Sequence, residues 1–184
     1  MQKGEEVYLT GLELLMVMLA GVSLPRPEYN KMMKDLIAAL KANGPRIKPK
    51  VRLLYTGGHA DNPEFFELLQ QNDAHVVSDN TGFGTRAADV LICEDGDPLE
   101  AIINYYFEEK PAATRQMGTQ VERMERLLDL VKQYKADGVV ASRLYMCDLW
   151  AFEHFLMRKR LHENNVPFLE LEVDYTPEGQ GRIK

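Results

Sequence analysis

Four short apolar runs, at residues 51–56, 75–78, 139–142 and 168–173, alternate with segments of helical length and periodicity. No other feature constrains the fold as much. Strands that recur with a helix between them pair in parallel through right-handed crossovers, and helices then cover both faces of the sheet. The chain therefore reads as an α/β protein, a Rossmann-like four-stranded parallel sheet flanked by helices. The intervening helices are predicted from their start signals. Asn62-Pro63 and Asp97-Pro98 each place a cap before a first-turn proline, opening helices that run to near Asn72 and through Phe107. Two more span about residues 119–135, with Val121, Met124, Leu128, Val131 and Tyr134 on one face, and 149–164.

An amino-terminal helical pair precedes this pattern. Thr10-Gly11-Leu12-Glu13 is a capping box, so a helix starts there and runs to about Ala20. A second begins near Pro27, carries Tyr29, Met32, Met33, Leu36, Ile37 and Leu40 at helical spacing, and ends at Gly44. Residues 45–49 read as a linker. The expected division is thus a helical segment at 1–48 packed on a main domain at 49–184. The apolar run at 14–24 is too short to span a membrane, and Glu5, Glu6 and Glu13 stand where a signal peptide carries positive charge; it reads as a buried helix.

At 184 residues the chain can bury roughly 70% of its unfolded surface around one main core. A net charge of -6 with interspersed signs offers no basic stripe, which weighs against nucleic acid as a partner. Only two cysteines occur, Cys93 and Cys147, a usage that suits a reducing cytoplasm. The first strand is not followed by GxGxxG, so a dinucleotide site is not indicated.

Each strand leaves its carboxyl end in a polar or glycine-rich segment: Gly57-Gly58-His59, then residues 79–86, 143–148 and 174–182. In open parallel sheets ligands bind outside those ends, at the switch point in strand order. Gly57-Gly58 reads equally well as a tight turn or as part of such a site. His59 reads as a loop histidine, since no second ligand stands at metal spacing. Gly82 and Gly84 can simply bend the chain, and a surface carboxylate is the bland partner for Arg86. Cys93, after Val90-Leu91-Ile92, reads as a small buried hydrophobe. Cys147 is different. It sits beside Asp148 at a predicted helix start, where the positive terminus favours thiolate, metal ligation and nucleophilic chemistry. Its sulfur is expected in the crevice near Gly57, Gly82 and Arg86, with Trp150 and Tyr145 packing around that corner.

The order of Thr10-Gly11-x-Glu13, Leu54-x-x-Gly57, Val76-Val77-x-Asp79 with Gly84-Thr85-Arg86, Asp97-Pro98-Leu99-Glu100, Asp137-Gly138-Val139, Cys147-Asp148, Val166-Pro167 and Gly179-Gln180-x-Arg182 resembles the 2-hydroxyacyl-CoA dehydratase and benzoyl-CoA reductase family. The likeness covers nearly the whole chain but only the carboxyl-terminal half of a typical family subunit. It implies anaerobic, iron-sulfur-dependent radical chemistry on acyl-CoA thioesters. In such enzymes a subunit holds a [4Fe-4S] cluster through three cysteines and a separate ATP-hydrolysing activator supplies a low-potential electron. The substrate then loses its hydroxyl through a ketyl radical anion, or is reduced at an aromatic ring.

The same likeness implies a homo- or hetero-oligomer with another dehydratase subunit. It also singles out Cys147, Gly57, Gly82 and Arg86 as cofactor-binding candidates, with Cys147 the metal ligand because it stands at the place of the family's last cluster cysteine. Arg86, Arg143 and Arg182 are the candidates for CoA phosphates. Gly82, however, occupies a place where the family commonly carries cysteine, and Cys93 falls on a different register. One cysteine cannot hold a four-iron cluster by itself. The chain is therefore expected to be an incomplete catalyst: a carboxyl-terminal piece of a longer subunit, or a cluster-less partner or CoA-binding domain without catalysis of its own.

Overall fold

The computed structural model describes residues 1–58 and 63–174. Strands β1 (Val51–Gly57), β2 (Ala74–Asn80), β3 (Gly138–Leu144) and β4 (Phe168–Val173) form one fully parallel sheet in the order β2-β1-β3-β4. The strands run past the apolar residues that announced them. Pairing of Tyr55 with Asp79 and of Thr56 with Asn80 carries β2 two residues beyond Ser78, because the ladder satisfies backbone groups whatever the side chain.

From β1 the chain moves outward to β2 through α3 (Pro63–Gln71). It then returns across β1 to β3 through α4 (Pro98–Asn104), a π-helical turn at Tyr105–Glu109 and α5 (Gln120–Tyr134), and reaches β4 through α6 (Asp148–Glu163). The direction of travel reverses once. Right-handed crossovers then put α3 on one face and α5 and α6 on the other. The two cores agree: Leu54, Val139 and Ala141 pack under Leu127, Leu128, Val131, Met157 and Leu161, while Tyr55, Val76 and Val140 pack against Phe65 and Phe66 on the opposite face. Leu53/Leu54 is the point where the β1–β2 register shifts.

The amino-terminal helices are α1 (Gly11–Ser23) and α2 (Arg26–Asn43). Both halves of the capping box are formed: the Glu13 N–H donates to Thr10 Oγ1 at 3.2 Å and the Thr10 N–H to Glu13 Oε2 at 2.9 Å. Gly11 must be glycine here, since a Cβ would lie 2.8 Å from that of Val76. Helix α1 thus lies on the sheet beside α3 and shares its core through Leu15. It is less enclosed than its apolar composition suggests. Gly11, Leu15 and Gly21 are buried, but Met16 and Val22 face outward. Helix α2 buries no residue; it leans on α1 through Tyr29, whose hydroxyl donates to the Val17 carbonyl at 3.2 Å. Among the described residues no helix is long and apolar enough to cross a membrane.

A buried arginine closes the opposite end of the sheet. Arg52 donates to the carbonyls of Tyr134 and Lys135 at the end of α5 and to those of Gln2 and Glu5, and its N–H is taken by Asp137 at 2.8 Å. One side chain thereby satisfies the orphan carbonyls of a helix end and ties down the amino terminus.

Candidate functional site

The chain reverses direction between β1 and β3, the switch point outside which an open parallel sheet takes its ligand, and three of the four predicted loops begin at that edge of the sheet. Gly57 ends β1 with φ +137°, and a Cβ on it would come within 2.2 Å of the Ser142 carbonyl oxygen of β3. Any side chain would force the two strands apart. The next glycine, Gly58, donates to Ser142 O at 3.2 Å, and a Cβ there would sit 3.5 Å from Trp150 Nε1 in the first turn of α6. The floor of the crevice is bare backbone. His59 and Asn62 lie outside the described residues, as do Gly179, Gln180 and Arg182 of the fourth loop.

The loop after β2 is folded around one carboxylate. Asp79 Oδ1 accepts from Thr81 N at 2.9 Å, Thr81 Oγ1 at 2.8 Å and Thr85 N at 3.2 Å, and the Thr85 hydroxyl donates back to the Asp79 carbonyl. Gly84 belongs to this knot, because a Cβ would fall 1.7 Å from Asp79 Oδ1. Burial pushes the Asp79 pKa up, against the hydrogen bonds from Thr81 and Thr85 and the charge of Arg86. Gly82 is half-buried in the turn, and Arg86 lies in the 3-10 turn Thr85–Ala87 that follows.

After β3, Met146 takes φ +59° and turns the chain so that Cys147 becomes the N-cap of α6. Its N–H donates to Leu144 O at 3.0 Å, its carbonyl accepts from Ala151, and its half-buried side chain caps nothing. Trp150 packs at this corner as expected, but Tyr145 is 61% exposed. Residues 144–146 turn too tightly to lay that ring against the helix. Cys93 likewise departs from its reading as a buried hydrophobe. It is exposed beside Leu91, itself 88% exposed, in an irregular stretch with no strand to pair with.

Sequence reasoning missed the charged pair that fixes the helices over this edge. Arg123 of α5 and Glu153 of α6 form a two-pronged ion pair at 2.7 Å on both prongs, with side chains 7% and 3% exposed. The signal was present. Arg123 stands four residues before Leu127, and Glu153 four before Met157, so both charges fall on core-facing stripes. His154 is fully enclosed between the rings of Trp150 and Phe168. Of the arginines considered for an anion, Arg143 is spent on Glu170 and Glu172. Arg86 is not: it makes no hydrogen bond or ion pair among the described residues.

No three histidine, cysteine, aspartate or glutamate side chains among the described residues stand close enough to share a metal ion. Of the two free thiols, Cys147 is half-buried and Cys93 exposed.

The family model described as 2-hydroxyglutaryl-CoA dehydratase, D-component, matches residues 1–184. Among curated proteins, the (R)-phenyllactyl-CoA dehydratase beta subunit of Clostridium sporogenes is 23% identical over 86% of this chain and 42% of its own length. A benzoyl-CoA reductase subunit of Thauera aromatica is also 23% identical, over 87% of this chain and 42% of its own. The chain spans less than half the length of these relatives.

Proposed function

The chain belongs to the 2-hydroxyglutaryl-CoA dehydratase D-component family, and from that premise we propose that it serves as a subunit, or part of one, in a dehydratase or reductase acting on acyl-CoA thioesters. What supports the reading is the switch point in strand order between β1 and β3, where Gly57 closes against Ser142 and the chain beyond β3 turns into α6 at Cys147. There an open parallel sheet takes its ligand. Gly57 and Gly58 keep the floor clear, so that a thioester can approach the backbone closely.

The described residues do not fit a [4Fe-4S] cluster. Such a cluster is held by thiolates, ordinarily four; Cys147 supplies one, Gly82 has no ligating atom, and Cys93 stands exposed with its thiol toward Asp95 O at 3.7 Å. This favours the role of a partner that binds acyl-CoA or completes the site of a cysteine-bearing subunit in a cytoplasmic oligomer. The alternative, a cluster-bearing catalytic half, rests on Cys147 and needs ligands from a second chain or from further sequence.

Anaerobic reconstitution with iron and sulfide, on the chain alone and with candidate dehydratase subunits, separates the two. The partner role predicts substoichiometric iron on the chain alone, and acyl-CoA turnover only when the subunits and an ATP-dependent activator are combined. About four irons per chain, with cluster absorbance lost in Cys147→Ser, would establish the cluster-bearing alternative instead. A complex that neither binds nor turns over any acyl-CoA would sink the reading as a whole.

A further inference from the structure

On the α5/α6 face, at the carboxyl ends of β1 and β2, three buried polar atoms have nothing to bond: Thr56 Oγ1, Ser78 Oγ and Asn80 Oδ1. They are neighbours by register. Thr56 stands opposite Asn80, and Leu54 opposite Ser78. Residues two apart on a strand face the same side, so all three share the face on which Leu54 packs under α5 and α6. Thr56 is 0% exposed, Ser78 1% and Asn80 9%. Leaving such groups unpaired is unfavourable, and three together are a departure from the near-complete pairing of folded proteins.

Positive charge gathers beside the same strand end, at the turn after β2 and the start of α5. Arg86, half-buried in the turn beyond β2, sits in the fields of Arg126, Asp79, Arg123 and Glu153 yet bonds to none of them. Both neighbouring acids are already engaged, Glu153 by Arg123 and Asp79 by the Thr81 and Thr85 groups. Arg126 holds Asp89 with Nη2 while its Nε is buried without a partner. Two hydroxyls and an arginine are thus left without partners, and among the described residues the acids nearest to Arg86 are already engaged.

We propose that this patch binds a compact oxyanion, a phosphate or carboxylate group, through charge-assisted hydrogen bonds from Arg86 and neutral ones from the Thr56 and Ser78 hydroxyls, with the Asn80 amide beside them. Water alone would satisfy the hydroxyls but leave the half-buried guanidinium without a counter-charge. The surrounding arginines rule out a cation. The link to acyl-CoA rests on the functional reading above; the site itself rests only on this chain.

The test is calorimetric titration of the full chain with inorganic phosphate, coenzyme A and succinate in separate arms, each to about 10 mM, where a single weak site fills. Saturable binding in at least one arm is expected, weakened at least tenfold in Arg86→Gln and several-fold in Thr56→Val. Phosphate and coenzyme A competing for one site would identify a phosphate group, and succinate alone a carboxylate. Thr56→Val should keep or raise the melting temperature, since it removes an unpaired hydroxyl; if it does not fold, Ser78→Ala takes its place. No saturable binding in any arm, or binding that the Arg86 and Thr56 variants leave unchanged, overturns the site. Iron reconstitution and assembly with partner subunits are read on the wild-type chain, so failure of the oxyanion titration leaves the functional reading intact.

Discussion

Arg123 and Glu153 spend two charges where two leucines would fit, and the geometry decides what their loss should do. A buried ion pair contributes little over a well-packed apolar pair, but breaking it leaves an uncompensated charge at a cost of about 3–5 kcal/mol. Glu153→Gln is therefore expected to lower urea-unfolding stability by about 3 kcal/mol, and the double variant Arg123→Met, Glu153→Leu to recover much of that. His154 should report on pH instead. Burial holds its pKa below the ordinary 6.5, with the nearby Glu170 opposing, so the folded state keeps it neutral while the unfolded chain takes up a proton. Stability is then fully present above about pH 6.5 and falls as pH drops toward the folded pKa. His75, whose pKa burial also lowers, adds to the same slope. His154→Phe is expected to remove part of the loss between about pH 7 and 5; urea midpoints measured across that range would reveal an unchanged slope if the assignment is wrong. Residues of this kind were the least legible in the sequence. Arg52 looks like a surface charge until the fold supplies its partners from chain segments far away, and although Arg123 and Glu153 fall on core-facing stripes, their pairing across two helices is a property of the assembled layers.

At the scale of elements, the two glycines of the crevice do different work from the glycine that ends α2. Gly44 has φ +74° with open space around it, so alanine there meets only backbone strain, about 1 kcal/mol. Gly57 combines φ +137° with a Cβ position 2.2 Å from Ser142 O. Gly57→Ala is expected to cost about 3 kcal/mol or more, strain and overlap together, and to disturb ligand binding at the crevice. Comparing the two variants by denaturant unfolding checks the claim; equal costs would mean that β1 and β3 can part freely. The strands, their parallel pairing and most helix starts were legible because each rests on a local signal, such as the Thr10 box or Asp97-Pro98, which the structure carries out as an N-cap accepting from Leu99 and Glu100. The run ending at Cys93 was misread for a reciprocal reason. Apolar character, even with a turn signal such as Asp95-Gly96 after it, says nothing about whether a partner strand is at hand.

Among the described residues apolar side chains stay uncovered at several places. Leu99, Tyr106 and Phe107, on α4 and the turn after it, are 66%, 55% and 79% exposed; Met146, Leu149 and Phe152 are exposed around the start of α6. Contiguous surface of this kind usually meets another protein. Helix α1 also turns Met16 and Val22 outward. The purified chain should scatter light as a dimer or larger at tens of micromolar (about the range in which weak interfaces fill). Paired aspartates at Met16 and Val22, or at Leu99 and Phe107, should each leave the sheet folded, and the pair that yields monomers marks the contact. A monomeric wild-type chain would count against any self-association. The strand order has a further consequence, in time rather than in space. The unit β3, α6 and β4 is contiguous in the chain, as are β1, α3 and β2, but β1 can pair with β3 only after the whole stretch from Gly57 to Gly138 has been looped out. Loop-closure entropy delays such a contact until its reward is available. The two halves of the sheet are expected to form first and dock last, so that the crevice is assembled at the end of folding and is the earliest feature lost when the chain begins to open.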